Sequence, residues 1–144
     1  MLIGSYYTTL NDKRRVAVPK KFISELGNKV ILAKWYENCL VLVSFDFWNN
    51  LLNRLTGGKK TISLGVRDIE RFVLGSAFEA EPDSQGRIVI PEALSKYAGL
   101  GKEIVFVGLG DRVEIWPKTL WEDKGKELVE ATKEYIEKLA EKET

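Results

Sequence analysis

Short apolar runs separated by polar turns recur along the chain, a pattern typical of short β-strands. In the first third of the chain they predict strands at residues 5–9, 16–18, 30–34 and 39–43. Pro19 and Gly27 bracket a helix at residues 20–26, because Pro suits a first helical turn and Gly suits a helix end. A second helix is expected at about residues 47–55, with Asp46 as its N-cap.

The same order of elements returns in residues 77–116, and two further helices are expected beside the two copies. One lies at about residues 65–76, after a linker of Gly and Lys at residues 56–60. The other opens at Thr119 and Glu122, whose spacing is that of a capping box. Its apolar face repeats at three- and four-residue steps, through Leu120, Leu128, Ala131, Tyr135 and Leu139.

Two parts of the chain match each other in register. Residues 10–19 align with residues 82–91, so that Arg15 and Arg87 are 72 residues apart, as are Pro19 and Pro91. Further on the spacing becomes 74, where residues 26–32 align with 100–106 and residues 37–42 with 111–116. Because one copy is too small to bury a good core, we expect the two copies to pack face to face as a pseudo-dimer.

This repeat divides the chain into four segments of an α+β protein. We expect a first repeat with its helix, a linker with a connecting helix, a second repeat and a C-terminal helix, at residues 1–55, 56–76, 77–121 and 122–144. No apolar run approaches the length of a membrane span, so no membrane partner is expected.

Composition argues against catalysis and for a cytoplasmic protein. The 144 residues include no His, the side chain that most general acid–base and transition-metal sites use. We therefore expect no enzyme, no cofactor, no metal and no small-molecule substrate. The lone Cys39 cannot form an intrachain disulfide, and its apolar neighbours predict a buried, inert thiol. The start of the chain lacks the pattern of a secretory signal.

Charge is unevenly distributed, although the net charge is only +1. Between residues 10 and 22 there are five basic residues and one acid, whereas between residues 122 and 143 there are eight acids and five lysines. Clustered cations matter more for nucleic-acid binding than net charge does. The basic segment near the start is therefore the candidate for an anionic partner.

The turn before Arg87 carries the candidate chemistry. Asp83 is suited to accept bonds from nearby backbone amides and Gly86 tolerates a positive φ, which predicts a tight hairpin turn. One interpretation is structural, in which Asp83 and Arg87 simply pair across the hairpin. Two copies, however, place two cationic strand starts at related positions, and a two-stranded ribbon is a known way to present Arg to the DNA major groove.

Other polar and aromatic residues have more ordinary interpretations. Lys20 and Lys21 fit a phosphate contact and a solvated helix face equally well. Glu79, Glu81 and Asp83 share one strand face, where ion pairs with a neighbouring module or subunit are favoured over a metal or catalytic site. The tryptophans are expected in core or subunit packing rather than in base stacking, at Trp35, Trp48, Trp116 and Trp121.

Together these residues resemble the MraZ family of bacterial regulators over nearly the whole chain. The second copy is the closer match, through Gly75-Ser76-Ala77, Glu79, Glu81, Asp83, Gly86-Arg87, Ile90-Pro91 and Glu114-Ile115-Trp116. The resemblance implies two tandem SpoVT/AbrB-like modules that form a pseudo-twofold swapped-hairpin β-barrel flanked by helices. It also implies a nucleoid-associated homo-oligomeric ring. Such a ring would bind short direct repeats of double-stranded DNA in the promoter of the division and cell-wall gene cluster, its own gene included.

The DNA-contacting positions that the resemblance implies fall on Asn11 and Arg15 and on Asp83 and Arg87. With the neighbouring cations, the candidate DNA-binding residues are Arg15, Arg87, Arg14, Lys13, Asn11, Asp83 and Lys20. In the first copy Asn11 replaces the usual Asp of the family and Arg14 replaces the usual Gly. This turn is the more cationic, and we expect it to carry more of the DNA binding. The alternative function is an AbrB-like protein-interaction or antitoxin-type module.

Overall fold

The computed structural model describes residues 1–58 and 63–143, in which short strands alternate with helices. The strands are β1 (Leu2–Thr9), β2 (Arg15–Ala17), β3 (Val30–Lys34), β4 (Leu40–Ser44), β5 (Phe78–Ala80), β6 (Arg87–Val89), β7 (Glu103–Gly110) and β8 (Val113–Pro117). The helices are α1 (Lys20–Leu26), α2 (Phe45–Thr56), α3 (Leu64–Val73), α4 (Glu92–Ala98) and α5 (Lys118–Glu143). None of these helices combines the length and the apolar character needed to cross a membrane.

The strands of the two copies are interleaved. One antiparallel sheet has the order β1-β7-β8-β4-β3-β5, and β2 and β6 form a separate two-stranded ribbon. β1 pairs with β7 so that Tyr6 lies opposite Phe106, and β5 pairs with β3 so that Phe78 lies opposite Leu32. These two pairs are equivalent under the alignment of the repeats. Each copy therefore adds its first strand to the third strand of the other copy.

The strands do not close into the barrel that the family resemblance implies. Among the described residues, the hydrogen-bonded sheet ends at β1 on one side and at β5 on the other, and the ribbon is not part of it. The reason lies in the ribbon: in the part of the chain that the structure describes, β2 and β6 pair with each other and with no strand of the sheet. Where the chain leaves β1, the N–H of Leu10 donates to the carbonyl of Lys102 at 2.8 Å, which continues the β1–β7 pairing by one residue, and Asn11 to Arg15 then form a tight turn that leads into the ribbon. The fold is α+β, with an open sheet and a second layer above it.

Side chains of the sheet alternate between two cores, because successive strand residues point to opposite faces. The inner core lies between the sheet, the ribbon, α1 and α4, and includes Val16, Phe22, Leu32, Ile88, Ile90, Phe106 and Ile115. The outer core lies under α2 and α3, and includes Ile31, Val41, Trp48, Leu51, Val73 and Val105. Each fully buried large apolar side chain contributes about 1.5–3 kcal/mol. The inner core fixes the ribbon on the sheet.

α1 has the predicted limits, whereas α2, α3 and α5 begin before the predicted positions. The N-cap of α2 is Ser44 and not Asp46, because the Ser44 hydroxyl accepts a backbone N–H three residues on at 3.1 Å. Ser63 caps α3 in the same way at 3.3 Å. α5 already begins at Lys118, so Thr119 lies inside the helix and the predicted capping box is wrong.

The predicted linker at residues 56–60 lies partly outside the described residues. Thr56 is the last residue of α2, and Gly57 ends the helix in the left-handed conformation, with φ 63°. Gly58 also has a positive φ, of 72°. Lys59 and Lys60 are among the residues that are not described.

Cys39 and the tryptophans pack in the outer core. The apolar neighbours of Cys39 predict a buried thiol, and core packing is one of the two expectations for the tryptophans. Cys39 is fully buried, its Sγ donates to the carbonyl of Tyr36 at 3.2 Å, and burial raises the pKa of the thiol above its usual range. Trp121 is partly buried against Trp116, with 5.6 Å between the ring centres. Trp35, Trp48 and Trp116 are buried.

Candidate nucleic-acid interface

The ribbon of β2 and β6 has one buried face and one outward face. Val16 lies opposite Ile88 at its centre, and both side chains are buried in the inner core. The alternation of a strand therefore turns Arg15 and Arg87 to the outward face. Since Arg15 pairs with Val89 and Ala17 pairs with Arg87, the two arginines are diagonal neighbours, whose Cα atoms are roughly 7–8 Å apart in such a ladder.

The turn before Arg15 is closed by the Asn11 side chain. Its Oδ1 accepts the backbone N–H groups of Lys13 and Arg15, each at 2.9 Å. Two backbone hydrogen bonds also close the turn: the Arg14 N–H donates to the Asn11 carbonyl at 2.9 Å, and the Asn11 N–H donates to the Arg15 carbonyl at 3.0 Å. Arg14 takes the positive-φ position of the turn, with φ 59°.

The turn before Arg87 has the same backbone. Asp83 Oδ1 accepts the N–H groups of Gln85 and Arg87, each at 2.9 Å. The two backbone bonds recur: the Gly86 N–H donates to the Asp83 carbonyl at 2.9 Å, and the Asp83 N–H donates to the Arg87 carbonyl at 3.0 Å. Gly86 has φ 74°. The replacements in the first copy thus leave the turn geometry intact, because the amide oxygen of Asn accepts the same bonds as a carboxylate oxygen.

The two arginines differ in what holds them. Arg87 Nε donates to Asp83 Oδ2 at 2.8 Å, and the two side chains are 40% and 39% exposed. The backbone N–H of Arg87, followed by its guanidinium, holds the pKa of Asp83 below its usual range. Arg15 is exposed and has no ion-pair partner among residues 1–58 and 63–143. The purely structural interpretation of the Asp–Arg pair therefore applies to the second turn only.

Arg14 is held in a different way from both. It is half-buried, and its Nε donates to the carbonyl oxygen of Ile90 at 3.0 Å. Its own carbonyl accepts the N–H of Ile90 at 2.8 Å. The side chain therefore contacts the end of β6, in the other copy, rather than projecting freely beside Arg15.

The remaining predicted cations surround the first turn. Lys13 is exposed at its tip, and Lys20 is exposed as the first residue of α1, directly after Pro19. On the acidic side, Glu79 and Glu81 are exposed along β5 and the strand end after it. The structure thus brings Lys13, Arg14 and Arg15 together in one turn, with Lys20 at the far end of the same short segment.

Sequence reasoning did not single out Lys102, which borders the first turn. A cleft of about 610 Å³ lies beside Asn11 and Arg14 and is lined on its other side by Ser95, Leu100 and Lys102. The lysine is exposed, and its carbonyl accepts the Leu10 N–H. No local motif could have indicated this residue, because it reaches the turn only through the pairing of β1 with β7.

Comparison with known proteins gives a consistent assignment. Residues 73–141 match a family described as "MraZ protein, putative antitoxin-like". A protein of Caldanaerobacter subterraneus subsp. tengcongensis named Transcriptional regulator MraZ is 42% identical over 96% of both chains. Proteins of the same name from a Thermoanaerobacter species and from Acetivibrio thermocellus are 43% and 39% identical, over 85% and 97% of both chains.

Proposed function

The chain belongs to the MraZ family, and we propose that it is a sequence-specific transcriptional regulator that binds double-stranded DNA through the β2–β6 ribbon. The relatives named above are transcriptional regulators by name. We further propose that its targets are direct repeats in the promoter of the division and cell-wall gene cluster, its own gene included. It would act in the cytoplasm, at the nucleoid. The two repeats, at residues 1–55 and 77–121, would be tandem SpoVT/AbrB-like modules.

The observation that supports this proposal is the outward face of the ribbon. Arg15 and Arg87 project from neighbouring strands whose buried residues, Val16 and Ile88, anchor them to the inner core. A two-stranded ribbon fits the major groove, where an Arg side chain is able to make two hydrogen bonds to guanine. Lys13 and Lys20, both exposed beside the first turn, add positive charge for phosphates.

A ring of subunits would make up for the modest affinity of one module. With a net charge of +1, a single chain gains little from long-range attraction to DNA. Several modules joined in one homo-oligomer raise the effective concentration of each at the next repeat. Binding would then depend on the number and spacing of repeats as well as on their bases.

The proposal is tested by titrating labelled duplexes with the purified protein. The duplexes carry one to four repeats from upstream of its own gene, and a shuffled duplex of the same composition is the control. We expect affinity to rise with repeat number, the shuffled duplex to bind far more weakly, and affinity to fall steeply with salt. Equal affinity for native and shuffled duplexes would contradict the proposed sequence specificity. An affinity that does not change with the number of repeats would contradict the proposed ring.

A second candidate, an antitoxin-type protein-binding module, has one observation in its favour besides the family description. From Val129 onward, α5 exposes apolar side chains that nothing in the described chain covers, namely Val129, Tyr135, Ile136 and Leu139. Co-purification of one defined polypeptide that is lost in an Ile136→Glu variant, with no DNA binding by the wild type, would favour this function over the first.

A further inference from the structure

The first turn is tied to the opposite copy by two hydrogen bonds, and the second turn by one. Val18 N–H donates to the Gly86 carbonyl at 2.9 Å, and Ile90 N–H donates to the Arg14 carbonyl at 2.8 Å, so the backbone bonds are equivalent. Only the first turn adds a side-chain bond, from Arg14 Nε to the Ile90 carbonyl at 3.0 Å. Arg14 and Ile90 therefore exchange two bonds.

The second turn cannot form an equivalent side-chain hydrogen bond, because Gly86 has no side chain. Space is not the obstacle. A Cβ built at Gly86 would lie 3.6 Å from the Val18 carbonyl oxygen and 3.6 Å from Ile23 Cγ1, which are ordinary contacts. The second turn is held instead by its Asp83–Arg87 ion pair at 2.8 Å, which occupies the arginine of the outward face.

We propose that Arg14 is a positioning residue and not a direct DNA contact, and that it fixes the first turn on β6 so that Arg15 is held in direction but left unpaired. The proposal rests on the proposed DNA binding. Arg14 immediately precedes Arg15, so a bond that fixes Arg14 also fixes the direction in which Arg15 leaves the ribbon. On this proposal Arg14 would not itself contact DNA, which differs from the prediction from sequence.

Asn11 and Arg14 act together in this arrangement. Asn11 keeps the two backbone bonds that close the turn but carries no charge to attract the Arg15 guanidinium. The ion pair that holds the second turn is thereby absent from the first, and the Arg14–Ile90 bond supplies the missing constraint. A non-glycine residue at φ 59° is unfavourable, and the bond to Ile90 offsets that cost.

The first test measures amide hydrogen exchange without DNA, in the wild type and in Arg14→Lys and Arg14→Gly. Arg14→Lys keeps the charge but lacks the Nε–H group, whereas Arg14→Gly copies the second turn and relieves the backbone. We expect the Ile90 amide to exchange about fivefold faster in Arg14→Lys, which corresponds to the loss of one ordinary hydrogen bond. The increase should be smaller in Arg14→Gly, because glycine also removes the cost of the positive φ. The Val18 amide, bonded to Gly86, is the internal reference and should not change. Unchanged exchange at Ile90 would overturn the proposal.

The second test measures affinity for a repeat duplex across salt concentrations in the same variants, with Lys13→Ala as a matched loss of charge. A positioning role predicts about fivefold weaker specific binding in both Arg14 variants, with the salt slope of the wild type. A direct phosphate contact predicts wild-type binding in Arg14→Lys and a slope lower by about 0.9 in Arg14→Gly, which would overturn the proposal. If the wild type binds no DNA specifically, the proposed function fails, while the exchange data still decide whether Arg14 fixes the turn.

Discussion

The two turns of the ribbon share the same backbone hydrogen bonds, but only the second contains an ion pair. In both, a side-chain oxygen at the first position accepts two N–H groups at 2.9 Å. In the second turn that side chain is Asp83, which also binds the Arg87 guanidinium. In the first turn it is Asn11, and Arg15 has no ion-pair partner among residues 1–58 and 63–143. The presence of Asn or Asp at the first position of the turn therefore decides whether the arginine four residues later is available to a partner.

This difference indicates that Arg15 and Arg87 would contribute unequally to DNA binding in the proposed complex. A paired arginine must leave its carboxylate before it binds a base edge, and that exchange reduces the net gain. An unpaired, exposed arginine loses only water. The ribbon is therefore pseudo-symmetric in its backbone and asymmetric in its recognition, with the first copy as the stronger side.

The largest effect is expected for Arg15→Ala, which should abolish promoter binding while the oligomeric mass stays unchanged. One bidentate contact to a base is worth about 1–3 kcal/mol per module, and a ring repeats the loss in every subunit. The comparison variant is Asp83→Asn combined with Arg87→Ala, which removes both partners of the pair and leaves no lone carboxylate. We expect this double variant to lose less than Arg15→Ala in a gel-shift titration. Equal losses in the two variants would end the claimed asymmetry.

A smaller loss is expected for Asn11→Asp, which converts the first turn into the state of the second. The new carboxylate accepts the same backbone bonds, so the turn should persist, but it also attracts Arg15. We expect about tenfold weaker binding to a repeat duplex and a salt dependence that is shallower by about 0.9 for each phosphate that the protein no longer neutralises. Anisotropy titrations at four salt concentrations measure both quantities. If affinity and slope both stay at the wild-type values, the freedom of Arg15 does not matter.

The converse variant, Asp83→Asn, should release Arg87 and make the second turn resemble the first. Because the amide oxygen still closes the turn, the ribbon should remain folded. We expect binding to strengthen a few-fold and the salt dependence to steepen by about 0.9 if Arg87 reaches one further phosphate. Lower affinity would mean that the Asp83–Arg87 pair presents Arg87 to DNA instead of withholding it.

Much of this comparison could be predicted from the sequence, because it depends on local chemistry and on the register of the repeat. The spacing of 72 residues identified Asn11 with Asp83 and Arg15 with Arg87, and the limits of α1 followed from Pro19 and Gly27. The Arg14–Ile90 bond could not be predicted, because its partners are 76 residues apart and meet only when the copies interleave. The separate β2–β6 ribbon likewise depends on pairing between distant parts of the chain, such as Val16 with Ile88.

The smallest expected effect is on stability in acid, and it concerns the second turn alone. The N–H and the guanidinium of Arg87 hold the pKa of Asp83 below its usual range, so the folded state binds this proton less readily than the unfolded chain does. The stabilisation is present above the ordinary pKa of Asp, about 3.9, and is lost as the pH falls through the lower folded pKa. The free energy of unfolding, measured by denaturant titration, should therefore favour the wild type over Asp83→Asn at pH 7, and the two should converge as the pH falls through the lowered folded pKa of Asp83. Asn11 does not titrate, so the first turn contributes nothing to this difference. A gap that stays constant over the whole pH range would mean that charge on Asp83 does not stabilise its turn, and the contrast between the two turns would then reduce to the Arg14–Ile90 bond.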